Sequence, residues 1–116
     1  MLINLTPQEI QSLLAAGKIT LIDVREPSEY ANERIHGALL YPLSTFDPAD
    51  LPAASVTKPL VFHCGAGARS ARAVAACEAA GLPHNQHMQG GMGAWKAAGL
   101  PYLKMDPATG QLCEQC

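Results

Sequence analysis

Cys64 is followed by four residues without charge or bulk, Gly65, Ala66, Gly67 and Ala68, and then by Arg69. A run of small residues lets the backbone curl so that several N–H groups converge on one point and make a concave anion site. A sulfur at that point is favoured as thiolate, the more so if a helix starts just beyond it and turns the positive end of its dipole towards the sulfur. Arg69 adds a full positive charge in the same segment. The expected outcome is a Cys64 pKa below the free-thiol reference of about 8.5 and a thiolate nucleophile that needs no separate general base. Close packing at a strand-to-helix junction, with Cys64 as a small buried apolar residue, would use the same small residues. The chemical reading gains from the combination of a strand-end cysteine, unbulky or cationic successors and an immediate helix start.

The elements around the loop are those that would hold it in place. Leu60-Val61-Phe62-His63 is the clearest strand and runs directly into Cys64; residues 70 to about 80 read as an alanine-rich helix with Val74 and Cys77 on one side and Gly81 as its stop. Upstream, Thr6-Pro7-Gln8-Glu9 carries a capping hydroxyl, a proline at the first helical position and a carboxylate three residues after the cap. It opens a helix with Ile10, Leu13 and Leu14 on one face and Gly17 at its end. Residues 20–24 suit a strand buried on both faces, with Asp23 near its C-terminal end. A short helix over 27–32, a strand over 37–41 stopped by Pro42, and a proline-containing connection over 47–59 with one helical turn follow. Residues 85–88 read as a last strand, and Gly90-Gly91 turns the chain into a short helix carrying Trp95 and closing near Gly99. Strands separated by helices define an α/β domain with a parallel sheet and right-handed crossovers. The working site of such sheets lies beyond the carboxyl ends of the strands, where Cys64 falls.

One domain over residues 1–103 accounts for the length, and residues 104–116, which lack periodicity, read as a polar tail. Hydrophobic residues at 48% are enough for a core without disulfide staples. Eight Lys plus Arg against ten Asp plus Glu give a net charge of −2, with no broad positive field to attract nucleic acid or an anionic membrane. No stretch approaches the roughly 20 apolar residues of a membrane span, and nothing near Met1 resembles a basic-then-apolar leader. The expectation is a cytoplasmic protein whose cysteines, at 64, 77, 113 and 116, stay reduced.

Four ordered segments resemble the rhodanese family of sulfurtransferases. His63-Cys64-Gly65-Ala66-Gly67-Ala68-Arg69-Ser70 is similar to its active-site loop, and Leu21-Ile22-Asp23-Val24-Arg25 to its early strand ending in Asp-x-Arg. Glu29-Tyr30 through Ile35-His36-Gly37-Ala38 resembles a second family segment, and Gly90-Gly91-Met92-Gly93-Ala94-Trp95 with Gly99-Leu100-Pro101 its C-terminal signature. The resemblance runs from about residue 6 to 103. It implies a central, mainly parallel five-stranded sheet flanked by helices on both faces. It also implies a Cys64 that takes sulfane sulfur from a small donor, holds it as a persulfide and passes it to cyanide or a thiol, a sulfur-carrier protein being a further candidate partner. Cys64 is then nucleophile and carrier, and the backbone of Gly65, Ala66, Gly67, Ala68 and Arg69 binds the substrate anion, the Arg69 side chain being a further electrostatic element or a structural anchor, with Asp23, Arg25 and Ser70 in support. No metal and no organic cofactor is implied. Where the family often has Gly-His-Ile-Pro-Gly-Ala, this chain has Glu33-Arg34-Ile35-His36-Gly37-Ala38, which suits a structural role. A neutral Gly65 directly after the cysteine, where thiosulfate users often carry a basic residue, fits a persulfide donor as well as thiosulfate.

Phosphatases and arsenate reductases of related fold also close a cysteine loop with arginine, but with five residues between the two, against four here. A tetrahedral oxyanion needs a wider ring of N–H donors than one sulfur does, and the loop supplies no acid for a leaving group. A non-catalytic interaction module is the third alternative. Cys113-Glu114-Gln115-Cys116 has the spacing of half a zinc site or a resolving dithiol, or is an idle tail, the last being the expectation. Cys77 and Trp95 read as core, Arg72 as a surface charge, and His63, pointing away from Cys64 by strand alternation, as structural. Asp23 and Arg25 suit either loop orientation or a structural ion pair.

Overall fold

The Thr6 hydroxyl accepts from the Glu9 amide at 3.2 Å, and the Glu9 carboxylate accepts from the Thr6 amide at 3.0 Å. This reciprocal cap, with Pro7 behind it, starts α1 (Pro7–Ala15) where the residue types demand. The computed structural model of the chain describes residues 1–52 and 58–115. Around α1 the order is β1 (Ile3–Leu5), β2 (Thr20–Asp23), α2 (Pro27–Asn32), β3 (Glu33–Arg34), β4 (Leu39–Leu40), β5 (Leu60–His63), α3 (Ala68–Ala79), β6 (Gln86–Met88), α4 (Gly91–Ala97), β7 (Tyr102–Met105) and β8 (Leu112–Gln115).

Five strands form one parallel sheet in the order β1-β6-β5-β2-β4, as the family resemblance implied. Alternation along the central strands sorts the core into two halves. Leu21, Val61 and Met88 pack with Ile10 of α1 and Met92 and Trp95 of α4 on one face. Ile22 and Phe62 pack with Ala73, Val74 and Cys77 of α3 on the other. Central strands buried on both sides carry no polar alternation, which is why residues 60–63 read as an unbroken apolar run up to the histidine. Trp95 is 2% exposed, and its indole N–H donates to the Pro101 carbonyl at 2.9 Å, so the bulkiest core residue buries no unpaired donor.

Four features depart from the sequence expectation. The fifth strand is β1, three residues too short to carry a pattern, which pairs with β6 at the sheet edge. The strand expected over 37–41 is reduced to Leu39–Leu40, and α3 starts two residues earlier than expected, at Ala68. The expected polar tail is instead an antiparallel hairpin: β7 pairs with β8 from Tyr102↔Gln115 to Met105↔Leu112, and β7 pairs with β3. An Asp106 turn closes it, with the Ala108 amide donating to the Asp106 carboxylate at 2.9 Å and the Gly110 amide to the Asp106 carbonyl at 2.7 Å. Every residue of β8 is exposed, so there is no buried face to write an alternating pattern into its sequence. In the connection over 47–59 the expected helical turn is a 3-10 turn at Pro48–Asp50; residues 53–57, like Cys116, lie outside the described residues.

Candidate active site

β5 delivers Cys64 to the carboxyl edge of the sheet, and the loop to α3 folds back over the sulfur. Gly67 caps α3 in the left-handed region, φ +110°, where a side chain would be strained, so the chain reverses tightly enough for its own amide to face the sulfur. The Gly67 and Ser70 amides donate to Cys64 Sγ at 3.1 and 3.3 Å, and the Ser70 hydroxyl lies 3.6 Å from it. The residue is 1% exposed, but its cover is the loop itself, whose Ala66 and Ala68 are exposed. Burial alone raises the thiol pKa. Hydrogen bonds from the Ser70 hydroxyl and from the Ser70, Gly67 and Ala66 amides outweigh it and hold Cys64 below its ordinary value. The direction expected from the sequence is the direction the geometry gives.

A second set of amides fixes the loop from behind. At the start of α4 the Met92 amide donates to the Cys64 carbonyl at 2.7 Å and the Gly93 amide to the Gly65 carbonyl at 3.0 Å. The approach requires Gly91, at φ +60°: a Cβ there would overlap the Cys64 carbonyl oxygen and come within 2.7 Å of the Gly65 carbonyl carbon. Carbonyls bound on one side and amides turned to the sulfur on the other give a preorganised anion site.

Arg69 was expected either to add its charge near the thiolate or to anchor the loop, and its pairing is that of an anchor. Its guanidinium donates to both Glu29 oxygens, at 2.6 and 3.0 Å. Hydrogen bonding to Arg69 holds the Glu29 carboxyl down at about 2, and the same pairing raises Arg69. The geometry therefore ties Arg69 first to α2 and only secondarily to the sulfur. Asp23 and Arg25 do not touch the sulfur. Arg25 grips both Asp23 oxygens at 2.9–3.1 Å and donates to the Glu33 carbonyl at 2.7 Å, a buried pair that fastens the end of β2 to the start of β3. His63 is wholly buried beside it, Nε2 3.5 Å from the Asp23 carboxylate but without a hydrogen bond, and burial keeps its pKa low. Cys77 is buried in the core cluster under α3, and burial pushes its thiol up, opposite to Cys64.

Four residues of the site carried no sequence signal beyond their place in the chain or in a resembling segment: Glu29, Gly91, His87 and Asn4. Ser70, expected only in support, links Cys64 to the last two. Its Oγ lies 2.8 Å from His87 Nδ1, and His87 Nε2 lies 2.6 Å from Asn4 Oδ1. Among the described residues no cluster of three His, Cys, Asp or Glu side chains is placed to hold a metal ion, and no helix is long and apolar enough to cross a membrane. Cys64, Cys77 and Cys113 are unpaired thiols.

The five-stranded parallel sheet with a cysteine cradled by amides at its carboxyl edge agrees with the family match, and the chain belongs to that family: residues 6–98 match the rhodanese-like domain. The chain is 36% identical over 113 residues to the uncharacterized protein slr1261 of Synechocystis, covering 97% of this chain and 63% of that protein. It is 32% identical over 93 residues to a protein of Allochromatium vinosum named "Sulfurtransferase", covering 80% of this chain and 86% of the other. Among solved structures, the rhodanese-like domain of the Anabaena protein Alr3790 superposes with a TM-score of 0.75 at 25% identity, covering 96% of this chain and 89% of that one. Rhodopseudomonas palustris RPA3614, named "Possible Tyrosine Phosphatase", superposes with a TM-score of 0.70 at 31% identity, covering 86% and 83%.

Proposed function

We propose that the protein is a sulfurtransferase that carries a sulfane sulfur as a persulfide on Cys64. The observation that carries this reading is the pair of amides, from Gly67 and Ser70, aimed at Cys64 Sγ. They favour the thiolate, which attacks the outer sulfur of thiosulfate, releasing sulfite, or of a persulfide, releasing a thiolate. The product is a Cys64 persulfide anion, which the same electropositive loop stabilises. Cyanide or an acceptor thiolate then attacks the outer sulfur, leaves as thiocyanate or a new persulfide, and restores the Cys64 thiolate. The sulfurtransferase name of the Allochromatium relative supports the reading. The reduced thiols fit a cytoplasmic setting, and the exposed loop leaves room for an acceptor as large as a carrier protein.

The name of RPA3614 raises phosphate-ester hydrolysis as a second reading. Two features of the site count against it. Its guanidinium is engaged by Glu29 rather than offered to an oxyanion, and the Asp23 carboxylate, at the end of the strand beside β5, is buried against Arg25. One preparation decides between them, assayed for sulfur transfer to cyanide from thiosulfate and from glutathione persulfide, and for hydrolysis of p-nitrophenyl phosphate. Sulfur transfer that disappears in Cys64→Ser is expected. Phosphatase turnover dependent on Cys64, without sulfur transfer, would overturn the proposal.

A further inference from the structure

A thiol that is 1% exposed has little direct contact with water, yet it must lose a proton to become the nucleophile. The structure supplies an unbroken line of polar atoms leading away from it. Cys64 Sγ donates to Ser70 Oγ at 3.6 Å, Ser70 Oγ lies 2.8 Å from His87 Nδ1, and His87 Nε2 lies 2.6 Å from Asn4 Oδ1. The amide oxygen of Asn4 can only accept, so Nε2 carries the hydrogen and Nδ1 is a bare nitrogen that accepts from the Ser70 hydroxyl at 2.8 Å, closer than the Gly67 carbonyl, the competing acceptor at 3.1 Å. His87 is 5% exposed, whereas Asn4 is exposed at the sheet edge. The four groups come from the loop after β5 and from α3, β6 and β1, segments with no local reason to align their polar atoms.

We propose that Ser70, His87 and Asn4 form a path that carries the Cys64 thiol proton towards the surface, with His87 holding that proton while Cys64 is ionised. The proposal rests on the sulfurtransferase reading and adds to it how the nucleophile is made, replacing the sequence expectation that no separate base is needed. When the S–H bond breaks, its proton passes to Ser70 Oγ, and the hydroxyl proton of Ser70 passes to His87 Nδ1. The result is a thiolate and an imidazolium bridged by Ser70, which now donates to sulfur and accepts from Nδ1. Asn4 keeps its hydrogen bond from Nε2 throughout and fixes the ring. The shift is neutral overall and is reversed when a protonated thiol is released. His87 is thus a positioning and proton-holding residue that acts on Cys64 only through Ser70.

The surroundings of the ring suit the task. β1 presents Asn4, β5 presents the apolar Phe62, the loop presents Cys64 and Gly67, and α3 presents Ser70. Of the charged side chains of α3, Arg69 is bound to Glu29 and Glu78 meets the N-terminal amine, while Arg72 lies two residues beyond Ser70. Burial keeps the His87 pKa low, so the ring is neutral and able to accept near neutral pH.

The test is the pH dependence of Cys64 alkylation by iodoacetamide in the 116-residue chain, read from the mass of the Cys64 peptide. It needs no sulfur donor, so it stands apart from the transfer assay: loss of sulfur transfer with the alkylation shifts intact would refute the function and leave the path. His87→Asn keeps a polar partner for Ser70 but cannot take a proton, and it is expected to move the profile to higher pH, slowing the reaction on the order of tenfold below neutrality. Asn4→Asp, at an exposed position, sets a carboxylate against Nε2 and is expected to move the profile to lower pH. In a Ser70→Ala background, His87→Asn is expected to add nothing. Profiles for both His87→Asn and Asn4→Asp that overlay the wild type would overturn the proposal. If His87→Asn does not fold, an unmoved Asn4→Asp profile overturns it alone.

Discussion

The Arg69 guanidinium and the Glu29 carboxylate meet through two parallel hydrogen bonds, so the loop cation is already neutralised by α2 before any substrate arrives. Side-chain exposures of 33% and 37% place the pair at the rim, where such contacts contribute at most about 1 kcal/mol. Glu29→Gln is therefore expected to lower stability by no more than about 1 kcal/mol in urea titration while releasing the Arg69 charge towards the sulfur. The alkylation profile of Cys64 should move to lower pH; an unmoved profile would mean that Arg69 has no electrostatic reach to the thiolate.

Acid should expose the same pair. Glu29 titrates at about 2 when folded and from 4.5 when free, so its contribution is complete above 4.5 and is lost as pH falls towards 2. The urea midpoint should fall across that window in wild type by more than in Glu29→Gln. Equal falls in the two proteins would show that the pair has no part in acid unfolding.

Three histidines add a dependence at milder pH. His63, His84 and His87 are all held below the ordinary value of 6.5, chiefly by burial. The unfolded chain then binds protons that the folded one refuses, so stability is highest above 6.5 and declines as pH falls below it. Chemical denaturation at pH 7.5 and 5.5 checks the sign, and a protein more stable at 5.5 would contradict it.

The closeness of Gly91 to the active loop gives a matched comparison. Gly91→Ala must adopt φ +60° and push its Cβ into the Cys64 and Gly65 carbonyls, whereas Gly99→Ala adopts φ +73° with nothing within 4 Å. Gly99→Ala should cost about 1–2 kcal/mol, the strain of the backbone alone. Gly91→Ala should cost more and also impair sulfur loading of Cys64; equal costs with loading intact would show that α4 does not fix the loop.

The central strands, the helices and the place of Cys64 at a strand end were legible because each is written in a local signal. The Thr6-Pro7-Glu9 cap, the apolar run of residues 60–62 and the small residues after Cys64 need no knowledge of distant neighbours. What escaped depends on contacts between remote segments. Glu29 is separated by 40 residues from Arg69, and Asn4 by 83 from His87, and nothing in the composition near either member names its partner. The hairpin after Leu103 escaped for a different reason: β8 is exposed on both faces, so its sequence reads as that of an unstructured tail.

Intact-mass measurement after incubation with thiosulfate, and separately with glutathione persulfide, tests the central claim most directly. Wild-type protein is expected to gain the mass of one sulfur atom from at least one donor, reversibly with cyanide, while Cys64→Ser gains none. A gain retained in Cys64→Ser would move the chemistry to another cysteine and contradict the account, as would wild-type protein that takes up no sulfur from either donor.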